Sequence, residues 1–179
     1  MHSGGTTEVE RLDYRNTIKK ATYLSTADRA AVINAVSAGL RDWAANKKIR
    51  AKAENVAVKL IDLNGDGVPE VIAQSFGFDI CSPTGNCPIW VLQRAGRKYK
   101  IILGRNAIQT FTIQPTRTSG YIDLVLGMHG SATEQELFVY RFRNGRYRQT
   151  ECYDPNWTHL GKDGEYHELK EPRIARCNR

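Results

Sequence analysis

The stretch FVYRFRNGRYR, Phe138–Arg148, decides how most of this chain folds. Phe138, Tyr140 and Phe142 alternate with Val139, Arg141 and Arg143, the period of two that a β-strand imposes on its faces. Asn144-Gly145 then reverses the chain between two alternating runs, because both residues tolerate the positive φ of a two-residue hairpin turn. The aromatics therefore face a core, and Arg141 and Arg143 face solvent. Similar β-branched and aromatic runs, separated by Gly, Asn and Pro, predict strands at about 56–62, 69–75, 88–94, 99–103, 107–113, 121–127, 136–143 and 146–151. Together they make an antiparallel meander over 55–151.

Before the meander the period changes. Ser25-Thr26-Ala27-Asp28 fits a capping box, and Val32, Val36, Leu40 and Trp43 recur at spacings of four, four and three on one helical face. The pattern predicts a helix over 25–48, ending near Asn46-Lys47-Lys48. Gly39 inside it costs about 1 kcal/mol relative to Ala, so packing must hold its middle. Asp28, Asp42 and Asn46 do not make a lipid-binding face, so the apolar stripe covers a sheet. Residues 1–24 and 152–179 show little regular pattern and read as irregular segments. The expected fold is α+β in a single domain, 1–179: a long N-terminal helix packed on an antiparallel meander, as an open sheet or sandwich.

EVIAQSFG (Glu70–Gly77) resembles DLVLGMHG (Asp123–Gly130), and WVLQRAGRKYK (Trp90–Lys100) resembles FVYRFRNGRYR. The offsets are 53 and 48, so the first copy carries a connection five residues longer, and that connection holds Cys81 and Cys87. Two copies are too few to close a propeller, and the alternative is that any two hairpins of a meander look alike.

The chain has 26 Lys+Arg against 19 Asp+Glu, a net charge of +7 that favours polyanionic neighbours such as nucleic acid, anionic lipid or cell-envelope polymer. Two basic hairpin groups, Arg94, Arg97, Lys98 and Lys100, then Arg141, Arg143, Arg146 and Arg148, exceed that whole excess. Nucleic acid is the poorer fit, since stacking on bases needs aromatics and cations on one face, and in the second group they alternate. No apolar run reaches the roughly 20 residues of a transmembrane helix, and Met1-His2-Ser3-Gly4-Gly5 lacks the apolar segment of a signal peptide.

The four cysteines bear on compartment. Cys81 and Cys87 flank the turn-forming Ser-Pro-Thr-Gly-Asn, and Cys152 and Cys177 both lie in the C-terminal part, which suggests pairing 81 with 87 and 152 with 177. Free thiols or a four-Cys zinc site are the alternatives, the latter without a Cys-x-x-Cys knuckle. Disulfides would make the protein periplasmic or secreted.

DLNGDGVPEV, Asp62–Val71, carries the chemistry. Counting Asp62 as one, oxygen donors fall at Asn64 (three), Asp66 (five) and Glu70 (nine), with the Val68 carbonyl at seven and Gly67 at six. A chain looping around calcium presents every second residue inward in this way. Position twelve is Ala73 and both flanks read as strands, so this is no EF-hand. It resembles the Asp-x-Asp-x-Asp-Gly-x-x-Asp loop of integrin-type FG-GAP repeats and related secreted calcium-binding repeats, with Asn for Asp at three and Glu for Asp at nine. The resemblance implies one structural calcium held by Asp62, Asn64, Asp66, the Val68 carbonyl and Glu70; the alternative is a solvated polar turn. Three carboxylates about 5 Å apart repel by roughly 3 kcal/mol per pair at an effective dielectric near 20, which a divalent cation removes. In the second copy the matching positions are Pro115, Arg117 and Ser119, and a cation stands where a cation would bind.

His129, Ser131 and Glu134 are the residue types of a base, a nucleophile and an orienter, though a triad is defined by geometry. His159, Asp163, Glu165, His167 and Glu168 are metal-ligand types without a known ligand spacing. The expected function is a calcium-stabilised, non-enzymatic binding protein outside the cytoplasm, with a protein or a polyanionic envelope polymer as ligand. The alternatives are an inhibitor or immunity protein against a secreted hydrolase, inserting loop 81–87, and a hydrolase using His129 and its neighbours.

Overall fold

The computed structural model describes residues 8–43, 48–131 and 134–177. In chain order the elements are β1 (Glu8–Glu10), a single 3-10 turn (Ile18–Lys20), α1 (Thr26–Leu40), α2 (Ile49–Glu54), β2 (Ala57–Ile61), β3 (Glu70–Gln74), β4 (Cys87–Ala95), β5 (Lys98–Ile108), β6 (Thr110–Thr118), β7 (Tyr121–His129), β8 (Gln135–Arg143), β9 (Arg146–Leu160) and β10 (Tyr166–Arg176). The expected α+β fold, a long helix on one meander, does not form: with 53% strand and 15% helix the protein is mainly β. Two antiparallel sheets share its core, one of order β2-β3-β4-β5 and one of order β1-β6-β7-β8-β9-β10.

The meander splits at Gln109. The chain leaves the first sheet at Ile108, whose carbonyl accepts the buried Gln74 amide at 3.2 Å, and joins the second at Thr110. The Gln109 N–H reaches the Gly127 carbonyl at 2.8 Å. A side chain at position 127 would run into Thr110 Oγ1, so the corner needs that glycine. Each sheet thus holds one four-strand run, and the two pairs of similar segments fall on β3 and β7 and on the β4–β5 and β8–β9 hairpins.

The sheets close face to face over Ile72, Ile89, Val91, Ile102, Phe111, Leu124, Leu126 and Tyr140. The other face of the first sheet is covered by α1, through Val32, Val36 and Leu40 against Val71, Trp90 and Leu92. With both faces covered, β3 is buried throughout and reads as an unbroken Glu-Val-Ile-Ala-Gln run. Half of the predicted capping box is present: Ser25 Oγ accepts the Asp28 N–H at 3.0 Å, but the Asp28 carboxylate accepts the Ser25 hydroxyl at 2.7 Å rather than its backbone N–H. The helix stops at Leu40, well before the predicted end; Ala44–Lys47, with Asn46 and Lys47 of that end, lie outside the described residues, as does Met1-His2-Ser3-Gly4-Gly5. Gly39 is explained by packing, since a Cβ there would overlap the Trp90 indole.

Two further expectations are corrected. Of the segment 152–179, expected to be irregular, residues 152–177 instead continue β9 to Leu160 and return as β10, tied by the Cys152–Cys177 disulfide, and 178–179 lie outside the described residues. Cys81–Cys87 is the other disulfide, and both match the pairing suggested by spacing. Arg141 does not simply face solvent: it bridges Glu151 and the 3% exposed Asp123, whose Oδ2 is 3.6 Å from Nε. Arg141→Ser should therefore cost about 2 kcal/mol in urea unfolding, below the 3–5 of a fully buried pair because Arg141 is itself 31% exposed. Arg143→Ser should stay within about 0.5 kcal/mol. Equal losses would mean that Asp123 does not depend on this guanidinium.

Candidate metal-binding turn

β2 and β3 are joined by residues 62–69, and Gly65 (φ 77°) and Gly67 (φ 82°) supply the left-handed backbone that folds this link back on itself. The Asp62 carboxylate accepts the Gly65 N–H at 2.7 Å and the Gly67 N–H at 3.0 Å, and the Gly67 bond is the main reason its pKa falls below the usual aspartate value. Asn64 Oδ1 accepts the Asp66 N–H at 2.9 Å, and Asp66 Oδ1 accepts the Val68 N–H at 2.7 Å. The Asn64 amide nitrogen donates to Asp66 Oδ2 at 2.8 Å and to the Tyr121 hydroxyl at 3.2 Å. The side chains of Asp62, Asn64 and Asp66 thus also shape the turn.

Glu70 differs from the others. It is 2% exposed at the root of the turn, with Oε2 accepting the Leu63 N–H at 2.9 Å. Burial pushes its carboxyl pKa up; the negative charges of Asp66 and Asp62 add to the rise, and the Leu63 N–H opposes it. A carboxylate that is buried and close to two others is the group in this turn that a bound cation would stabilise most. The donor set, all hard oxygen, is of the chemical type calcium takes; the Asp62, Asp66 and Glu70 carboxylates are not drawn together within 4.8 Å of one another, and rotation of the Asn64 amide would present its oxygen in place of the nitrogen.

The second sheet supports the turn in a way the sequence did not indicate. Its β6–β7 link is only Ser119-Gly120, at φ 51° and 85°, with no loop of donors. Arg117 reaches across instead: Nη1 donates to the Leu63 carbonyl at 3.1 Å and to the Gly120 carbonyl at 2.7 Å, and the Ile122 N–H also binds the Leu63 carbonyl at 2.8 Å. Tyr121, which receives Asn64 and the Gln93 amide, was equally missed, because an aromatic at a strand start signals only burial.

The other candidates are placed as follows. His129 and Glu134 line a cavity of about 360 Å³ with Trp157 and Glu168, and Ser131 Oγ accepts the Glu134 N–H at 3.2 Å, a turn-forming bond. The His129 backbone is held by the buried Asn86 side chain, at 2.9 and 2.7 Å, which docks the 81–87 loop on the end of β7. His159 and His167 face each other across β9 and β10, with His167 Nε2 2.9 Å from Asp163. Among the described residues a group of Glu136, Cys152, Asp154 and Cys177 brings ligand-type atoms within 4.8 Å of one another, but its cysteines form a disulfide and supply no thiolate. No described helix is long and apolar enough to cross a membrane. Comparisons of the chain with protein-family models, with curated proteins and with solved structures gave no match.

Proposed function

We propose that this is a non-enzymatic binding protein that works in the periplasm or outside the cell and is stabilised by one calcium ion held by Asp62, Asn64, Asp66, the Val68 carbonyl and Glu70. The observation that carries the reading is the buried Glu70 carboxyl at the root of an oxygen-lined turn with two left-handed glycines. The FG-GAP-like spacing supports calcium, and two disulfides support an oxidising compartment. The excess of arginine and lysine supports a polyanionic ligand.

Thermal unfolding after chelation, with each ion added back, tests the metal. Calcium at 100 times its Kd should add about 2.7 kcal/mol of stability, and magnesium less, because it gives up its waters reluctantly. Asp66→Ala should abolish the response, and Ser119→Ala, at the matching place in the second sheet, should leave it intact. Glu70 adds a pH signature. With its folded pKa raised, the chelated protein keeps that contribution below the ordinary glutamate range and loses it as pH rises through the folded value. Calcium needs the ionised form, so its stabilising effect should grow over the same window. A melting temperature indifferent to calcium across that range would end the proposal.

One observation favours a second reading, an inhibitor or immunity protein against a secreted hydrolase. Phe78 is fully exposed beside the Cys81–Cys87 staple, on a segment anchored by the Lys52–Asp79 ion pair and by Asn86. A large exposed aromatic on a braced loop is suited to insertion into a partner's cleft. Size-exclusion chromatography with purified secreted hydrolases should then show a complex that Phe78→Ser loses without any change in melting temperature.

A further inference from the structure

We infer that the cleft between the edges of β5 and β9 is an oxyanion-binding site, built to take a phosphate-type group on the Trp90 indole N–H and the guanidiniums of Arg146 and Arg148. The cleft encloses about 560 Å³ and is bounded by the end of α1, by residues 101–105 and by residues 146–148. Trp90 forms part of its wall and is 1% exposed. The edge of the indole that carries Nε1 and Cδ1 lies in the gap between Gly39 and Gly104, both of which line the cleft. A Cβ on Gly104 would come within 3.1 Å of Cδ1, and one on Gly39 would overlap Nε1. Among the described residues Nε1 has no hydrogen-bond partner, so a donor that can only donate is left at the wall of a cavity.

The rim of the cleft is basic. Register slips between Ile89↔Asn106 and Val91↔Leu103, which leaves Gly104 and Arg105 as a bulge opposite Trp90, with Arg105 at φ 62°. A non-glycine residue held in that region marks strain that the surroundings enforce. The bulge aims Arg105 at Asp42, Nε to Oδ2 3.0 Å, which engages the one acidic side chain lining the cleft. Arg146 and Arg148 remain without an ion-pair partner among the described residues, although they stand directly opposite Arg143 and Arg141. Like charges across a strand pair are unfavourable; Glu151 and Asp123 already offset Arg141, and Arg143, Arg146 and Arg148 are the charges an anion would offset. With Asp42 engaged by Arg105, the indole N–H and the two arginines are the unengaged polar side chains bordering the cleft, a set that suits an anion able to accept from several directions.

This deepens the reading of the chain as a binding protein, and its test is independent of the calcium test, which reads the melting temperature. The indole N–H resonances of the three tryptophans would be followed in ¹⁵N–¹H spectra, with Trp43→Phe and Trp157→Phe identifying the Trp90 signal. Sodium phosphate and linear polyphosphate are titrated against sodium chloride at matched ionic strength. The Trp90 signal should move saturably with phosphate, and the Arg146→Ser/Arg148→Ser double variant should raise Kd at least about tenfold. Arg97→Ser, a basic change outside the cleft, should not alter it. Affinity per phosphate that is equal for the two titrants assigns the site to the free ion; tighter polyphosphate binding assigns it to a polymer, and both uphold the oxyanion site. The inference fails if chloride reproduces the shift, if all three indoles move together, or if the double variant binds as the parent does.

Discussion

Trp90→Ala should cost about 3–5 kcal/mol of folding stability, the largest loss we expect from any single substitution. Trp90 is buried in the layer between α1 and the first sheet, beside Val32, Val36 and Leu40. Two of its neighbours, Gly39 and Gly104, have no side chain that could move into the vacated space, so the cavity would collapse poorly. Urea unfolding followed by circular dichroism measures the loss, and Trp90→Phe should recover part of it. A cost below about 1 kcal/mol would show that α1 is not held through this residue.

Removal of Cys152–Cys177 should rank second. The bridge closes 25 residues and, in the loop-entropy description, contributes about 3 kcal/mol, against about 2 for the six-residue Cys81–Cys87 loop. Its loss should also be local. Leu137 and Phe138 pair with Tyr153 and Cys152, whereas residues 154–160 pair with β10 alone, so the disulfide holds the hairpin arm near its base. Hydrogen exchange of the Cys152→Ser/Cys177→Ser protein should show early loss of protection over 154–176, with Leu124 and Leu126 still protected. Uniform loss across both sheets would mean that the arm and the sandwich unfold as one unit.

What the sequence revealed was local. The Asn144-Gly145 hairpin, the Ser25 cap, both disulfide pairings and the strand–turn–strand setting of 62–70 depend on neighbours within a few residues, where backbone preference is decisive. A sandwich was one of two arrangements the sequence allowed, but the place of the division was not legible, because position 109 is neither Gly nor Pro and the glycine the corner needs is Gly127, on the partner strand. Residues 152–176 escaped because most of β10 is exposed on both faces and has no reason to alternate. The chemistry of Glu70 and Asp123 was hidden for the opposite reason: spacing makes a carboxyl a donor, but only the packed sheets make it a buried one.

β10 has one consequence for how the protein behaves in a crowded solution. It is the outermost strand of its sheet, 11 residues long and exposed over most of its length, with Tyr166 and Ile174 open to water. A flat edge of that kind would recruit strands from other molecules and seed fibres. Here the row of amides is interrupted, since Pro172 has no N–H and the register slips between Glu168 and Arg173. Glu168, Lys170, Glu171, Arg173 and Arg176 add charged side chains that another strand would have to accommodate. A protein with half its residues in strands thereby ends on an edge that offers another copy no continuous ladder.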